Sequence, residues 1–315
     1  MITIFKTEDR GIRQLDFPAV EPGCWINATA PTAEELAALS AVAGIPVDFL
    51  SAALDPEETS HIEYDENILL VIINVAKAAG SHDFDTVPLG VILTPDFIVT
   101  VCLEQGEILP RSVVSMNGFC TYKRTRFLLQ ILYKTATQFL KYLRQINRRS
   151  DEIEAHLRKS MRNEELYQLF DLEKGLTYFT AALRSNRMVV DKLLRLFQNG
   201  QMRETVKIRE EDEDLLQDVQ VEYNQAFEMV QMYGNVLAGM MDAFASIISN
   251  NLNMVMKFLT SVTIILAVPT LVASLWGMNV PVPFQESPNG FAVVTLFSLG
   301  VSALSALWLW RKRLL

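Results

Sequence analysis

The chain has 315 residues, half of them apolar, and a net charge of −9. That length holds about two ordinary domains, and the acidic balance argues against nucleic acid as a partner. Cys24, Cys102 and Cys120 are odd in number, widely separated and not in metal-ligand spacing, so they read as reduced core residues.

The chain opens on Met1-Ile-Thr-Ile-Phe, which lacks the basic start and apolar core of a cleavable signal. Runs rich in β-formers at Ile2–Phe5, Ile68–Val75, Val87–Leu93 and Phe97–Cys102 alternate with helical ones. In "PTAEELAALSAVAG" Thr32 with Glu35 three residues on is a capping box, and Gly44 is the stop. "LTPDFIV" puts a Pro-Asp turn between two strands, which predicts a hairpin. The apolar run Ile68–Ala76 is too short to span a bilayer and reads as a buried strand. Residues 1–120 are therefore expected to form a small mixed α/β domain.

All but four of the prolines lie at or before Pro110, and none occurs from Arg111 to Val268. This predicts uninterrupted helix: a helical hairpin over 121–202, broken at "QNGQ" around Gly200, then a third helix from Arg203. Nothing stops that third helix before Pro269 or Gly277. A helix of about 70 residues is about 100 Å long, so it is read as a stalk over 203–256 that runs on into a membrane span at 257–279.

Lys257–Trp276 and Phe291–Trp310 are the only windows near the length needed to cross a bilayer, about 20 residues. An external loop at 280–290 joins them, the second span covers 291–310, and a basic tail occupies 311–315. Arg311, Lys312 and Arg313 follow the second span directly, whereas 277–290 contains no Lys or Arg. By the positive-inside rule the C-terminus is cytoplasmic, and two spans then place the N-terminal domain in the cytoplasm too. The expectation is a multi-pass protein of the inner (plasma) membrane.

The long helix carries two stripes. Val219, Tyr223, Ala226, Val230, Tyr233, Leu237, Met240, Phe244 and Ile247 repeat in steps of four and three, the spacing of a face packed on neighbouring helices. About 120° further round run Asp242, Ser246, Ser249, Asn253, Met256, Thr260, Thr263, Ala267, Thr270, Ser274 and Gly277. One or two such threonines would be close helix packing with hydroxyls bonded back to the backbone. A stripe this long, crossing a segment of Leu, Ile, Val and Phe, reads instead as a water-accessible pore wall. One helix cannot enclose a pore, so several copies must surround an axis.

Asp242 is the only carboxylate on that stripe. Glu210, Glu211, Asp212, Glu213, Asp214, Asp218, Glu222 and Glu228 precede it, with no Lys or Arg between 210 and 256. Gathered around an axis they would attract cations. A neutral wall of hydroxyls and amides suits a cation that keeps its water, and Mg²⁺ dehydrates reluctantly.

"WGMN" at the end of the first of two C-terminal spans, after a long helix and an acidic α/β head, resembles the CorA family of divalent-cation channels. "DPEETSHIEYDENILLVI" in the head is similar to that family as well. The resemblance implies an α+β cytoplasmic domain, a long stalk helix and two C-terminal transmembrane helices in a funnel-shaped homopentamer, with the first span lining the pore. It makes Gly277, Met278 and Asn279 an external selectivity ring for hydrated Mg²⁺. It puts Asn253, Met256, Leu259, Thr260, Thr263, Ala267 and Thr270 at pore and gate positions, with Asp242 at the cytoplasmic approach. Asp218 falls at a stalk carboxylate that binds regulatory Mg²⁺ between subunits, and Asp83 and Asp85 are the partners chosen on the neighbouring head. The function implied is passive Mg²⁺ influx gated by intracellular Mg²⁺, with Co²⁺, Ni²⁺ or Zn²⁺ as further ions. Two departures stand out: the loop "VPVPFQESPNG" lacks the Met-Pro-Glu-Leu of many members, and Ala267 stands where they often carry a bulky Met.

A zinc transporter of the same superfamily is the nearest rival, but the pathway holds no His or Cys. His61, His82 and His156 all lie in the head. A membrane-anchored scaffold would not need eleven small or polar positions on one face. No phosphate loop or nucleophile–His arrangement points to an enzyme.

Overall fold

The computed structural model describes residues 1–8, 11–65, 67–78, 80, 83–104, 120–160, 163–198, 210–283 and 287–312. They form two compact units, Met1–Gly239 and Met240–Leu315.

In the first unit seven strands make one sheet: β1 (Ile2–Glu8), β2 (Gly11–Leu15), β3 (Trp25–Thr29), β4 (His61–Asp65), β5 (Ile68–Ala78), β6 (Phe84–Leu93) and β7 (Ile98–Cys102). Their order is β2-β1-β3-β7-β6-β5-β4, with β3 and β7 parallel and every other pair antiparallel. Thr94–Phe97 turns the β6–β7 hairpin, the Thr94 N–H donating to the Phe97 carbonyl at 3.0 Å. β5 is buried along nearly its whole length because both faces of the sheet are covered, which is why its sequence is a continuous apolar run rather than an alternating one.

On one face lie α1 (Ala33–Ala43) and α2 (Val47–Ala52). Thr32 and Glu35 cap α1 reciprocally, and Gly44 ends it at φ 66°, a conformation glycine adopts without penalty. Leu36, Leu39, Ile45 and Leu50 pack there with Ile26, Ala28, Leu70, Ile72 and Val101. On the opposite face lie α3 (Arg124–Ser160) and α4 (Asn163–Gln198). Trp25, fully buried, stacks on Phe5 at 5.0 Å and meets Phe127 of α3 at 5.1 Å, while its indole N–H donates to Thr100 Oγ1 at 2.8 Å. Cys24 and Cys102 are buried free thiols, their pKa pushed up by burial; Cys120 is only half-buried and is not a core residue, because it lies at the entry to α3.

A buried amide completes the sheet where a strand is missing. β4 ends at the His61–Ile72 pair, so Asn74 of β5 has no strand beside it on that edge. Asn186 of α4, fully buried, takes that place: its Nδ2 donates to the Asn74 carbonyl at 2.7 Å, and its Oδ1 accepts from the Asn74 N–H at 2.9 Å and from Ser60 Oγ at 2.7 Å. Asn186→Leu strands the buried Asn74 carbonyl, at about 1–3 kcal/mol, while the Asn74 N–H keeps Ser60 Oγ at 3.2 Å. We expect denaturant unfolding of the full chain to show a loss of about 2 kcal/mol; a change under about 1 kcal/mol would refute this role.

α5 (Glu210–Trp276) contributes to both units, and its first segment packs in the first. Of the heptad face Val219, Tyr223, Ala226, Val230, Leu237 and Phe244 are buried, Tyr233 and Met240 are half-buried, and Ile247 is exposed in the single chain. Gln220 donates to Asp191 of α4 at 3.2 Å, and the Arg187 guanidinium lies 5.4 Å from the Phe227 ring. Burial drives the Tyr223 phenol pKa far up, so it stays neutral. The helix is described from Glu210 onward; its expected start, near Arg203, lies outside the described residues. The second unit pairs the rest of α5 with α6 (Gly290–Arg311).

Candidate ion pathway and metal sites

α5 and α6 are each long and apolar enough to cross a membrane. In the apolar window of α5 only 6% of residues are buried, and in that of α6 only 17%. Leu266, Leu271, Phe291, Leu296 and Trp310 are exposed in a single chain, which water cannot cover without cost. The two helices touch through small residues: Ser261 of α5 and Ser298 and Ser302 of α6 are buried.

Every residue of the polar stripe is turned away from that contact. Asp242, Asn253, Met256, Leu259, Thr260, Thr263, Ala267 and Thr270 are all exposed, as are Ser246, Ser249, Ser274 and Gly277. Thr263, Ala267, Thr270 and Ser274 share an open depression of about 550 Å³ with Leu266 and Leu271, two flanking residues that the stripe alone does not single out. The Thr263 hydroxyl donates to the Leu259 carbonyl at 2.8 Å and that of Thr270 to the Leu266 carbonyl at 2.9 Å. Their protons are thereby spent on the helix, and the oxygens keep lone pairs for a donor outside it. Metal-bound water is such a donor.

α5 stops at Trp276, so Gly277, Met278 and Asn279 lie just past its end rather than in its last turn. The Gly277 N–H still bonds the Ala273 carbonyl at 2.9 Å, and a Cβ on Gly277 would sit 3.2 Å from that same oxygen, closer than side chains normally approach. Pro281 and Pro283 then prevent the helix from continuing. The Trp276 indole N–H donates to the Pro283 carbonyl at 2.9 Å, folding the chain back over the triplet. Met278 and Asn279 are exposed.

In the first unit, Asp83 and Asp85 flank Phe84, which is buried against Tyr142 of α3 and Phe179 of α4. Gly175 makes room for it: a Cβ there would come within 2.9 Å of Phe84 Cβ. With Phe84 held inward, alternation turns both aspartates outward, and both are exposed. Asp85 Oδ1 accepts the Thr86 N–H at 2.8 Å. Asp218 is exposed on α5 between buried Leu216 and Val219. The acidic stretch is not one solvated face, since Asp212 is buried and lies 3.6 Å from Arg126 Nη1, whereas Glu213, Asp214 and Glu228 are exposed. Among the described residues no three His, Cys, Asp or Glu side chains of one chain converge as a metal site. Of the histidines, His61 lies near Glu58 and Glu63, His156 is exposed on α3, and His82 lies outside the described residues.

The family model of the CorA-like Mg²⁺ transporter protein matches residues 21–313. The cobalt/magnesium transport protein CorA of Methanocaldococcus jannaschii is 28% identical over 280 residues, 86% of this chain and 84% of that protein. The protein of the same name from Thermotoga maritima is 23% identical over 320 residues, 98% of this chain and 88% of that one. The complete structure of the M. jannaschii CorA magnesium transporter superposes with a TM-score of 0.83 at 25% identity, covering 99% of this chain and 98% of that one. The soluble α/β unit, the long helix and the two apolar C-terminal helices are thus a shared architecture, and the chain belongs to the CorA-like Mg²⁺ transporter family.

Proposed function

We propose that the protein is a homopentameric Mg²⁺ channel of the plasma membrane that conducts inward and passively, with both termini in the cytoplasm. What carries the reading is the face of α5 from Asp242 to Ser274, small or polar except for Met256, exposed throughout and leading to Gly277-Met278-Asn279 just past the helix end. Copies arranged around an axis turn that face inward and leave the apolar faces to lipid and to one another. The basic residues after α6 and their lack in the 277–290 loop support the orientation.

The ion travels with its water. Its hydration shell presents hydrogens outward, so the wall needs acceptors rather than ligands that displace water. Asn279 amide oxygens and the free lone pairs of Thr260, Thr263 and Thr270 supply them. A carboxylate ring at Asn279 would hold the cation tightly and slow its release. Asp242 and the exposed acids of α5 raise the cation concentration at the cytoplasmic mouth. Asp218 with Asp83 and Asp85 of an adjacent copy holds a regulatory Mg²⁺ that favours the closed arrangement.

Beyond His156 the chain has no His and no Cys, so a transported Zn²⁺ would find no imidazole or thiolate on the path. Uptake by the purified protein in liposomes, comparing Mg²⁺, Co²⁺, Ni²⁺ and Zn²⁺ with and without a pH gradient, tests the assignment. Mg²⁺ uptake indifferent to the pH gradient is the expected result, with Co²⁺ and Ni²⁺ following. Zn²⁺ uptake that requires the gradient, with no Mg²⁺ uptake, would favour the rival carrier.

A further inference from the structure

Pro269 interrupts α5 inside its membrane-length stretch. A helical N–H at position 269 would bond the carbonyl of Ile265, four residues earlier. Proline has no such N–H, and its ring crowds that same carbonyl. No water is at hand in a bilayer core to replace the lost donor. The side chain that reaches the orphaned carbonyl is Ser302 of α6, whose Oγ lies 3.5 Å from it and which is buried to 8% exposure.

The neighbouring serines of α6 mark how unusual that orientation is. Ser298 turns its hydroxyl back to the Thr295 carbonyl at 3.1 Å, and Ser305 to that of Val301 at 2.9 Å. Ser302 crosses to the other helix instead. On the far side of the break, Thr270 bonds the Leu266 carbonyl at 2.9 Å, so consecutive carbonyls of the loosened turn are held from opposite sides. Ala267 and Thr270, both on the polar face, belong to that turn.

We propose that Ser302 is a positioning residue for the conducting helix: it holds the Pro269 break of α5 against α6 and so sets the placement of Ala267 and Thr270. This rests on the reading of α5 as the pore-lining helix. At 3.5 Å the bond is long, so its loss is expected to change conduction severalfold and not to abolish it.

The test is a cycle of Ser302→Ala, Pro269→Ala and the double variant, with Ser302→Thr alongside. Mg²⁺ uptake into liposomes and the unfolding temperature of the assembled protein are read for each. Ser302→Ala is expected to slow uptake about threefold to tenfold, while Ser302→Thr, which keeps the hydroxyl, stays within about twofold of wild type. Pro269→Ala returns an N–H to the Ile265 carbonyl, so adding Ser302→Ala to it should change uptake and unfolding temperature little. Equal effects of Ser302→Ala in both backgrounds would overturn the inference, as would a Ser302→Thr variant as impaired as the alanine. If Pro269→Ala does not assemble, the contrast between alanine and threonine at 302 decides. A wild-type protein that conducts nothing would refute the pore reading, and the same cycle read in unfolding temperature would then decide the role of Ser302.

Discussion

Replacing Asn279 by alanine is expected to abolish selective Mg²⁺ uptake while leaving the oligomer intact. Asn279 lies just past the end of α5, exposed, in a turn that Gly277 makes possible and that the Trp276–Pro283 bond folds back. Nothing in the core depends on its side chain, so the substitution removes an acceptor and little else. A hydrogen bond to a charged partner contributes about 1.5–3 kcal/mol, and the proposed ring would lose one from every copy at once. Even two such losses amount to a factor of about a hundred or more. Uptake by purified, correctly sized Asn279→Ala protein is the measurement. Wild-type flux from that protein would remove the selectivity ring from the account.

The second large effect is expected at Asp218. It is exposed and close to other exposed acids on α5; in the proposed oligomer it would be repeated in every copy, and like charges would oppose close approach of the copies. A divalent ion bridging Asp218 to the Asp83–Asp85 pair of an adjacent head would relieve that repulsion, and it can favour the closed state only by binding it better than the open one. Asp218→Lys places a fixed ammonium where the ion would sit. Wild-type current should fall at least about tenfold as cytoplasmic Mg²⁺ rises, corresponding to about 1.4 kcal/mol of differential binding, while the variant's current should hardly respond. Superimposable inhibition curves would leave the carboxylate as a solvated surface group and the pore reading untouched.

Features written in local periodicity were legible in the sequence. The Thr32–Glu35 capping box, the Gly44 stop and the Thr94–Phe97 hairpin are each set by residues within a few positions of one another, and the structure has them. The heptad face of α5 and its polar stripe are properties of one helix, so spacing alone separated buried Val219, Tyr223, Ala226 and Val230 from exposed Thr263, Ala267 and Thr270. The short strands β2 (GIRQL), β3 (WINAT) and β4 (HIEYD) were not legible, because polar and charged residues interrupt them where equally short β7 (IVTVC) is a continuous β-forming run, and β3 depends for its burial on β7, far along the chain. Contacts between distant residues left no signal either. Asn186 standing in for a strand beside Asn74, and Ser302 reaching the carbonyl freed by Pro269, join residues that share no periodic pattern. The pairing of Asp218 with Asp83 and Asp85 is a proposal about contacts between copies, which neither spacing nor a single chain can express.

The central claim is that a hydrated divalent cation moves down its electrochemical gradient along the polar face of α5, with no other source of energy. The most direct measurement is Mg²⁺ accumulation in sealed liposomes carrying the purified protein, without ATP, under an imposed inside-negative potential. A divalent ion gains about 4.6 kcal/mol per 100 mV, twice the single-charge value. Accumulation should therefore rise toward a ratio of about three decades per 100 mV and collapse on depolarisation. Uptake that ignores the potential, or that appears only when ATP is supplied, would contradict the account.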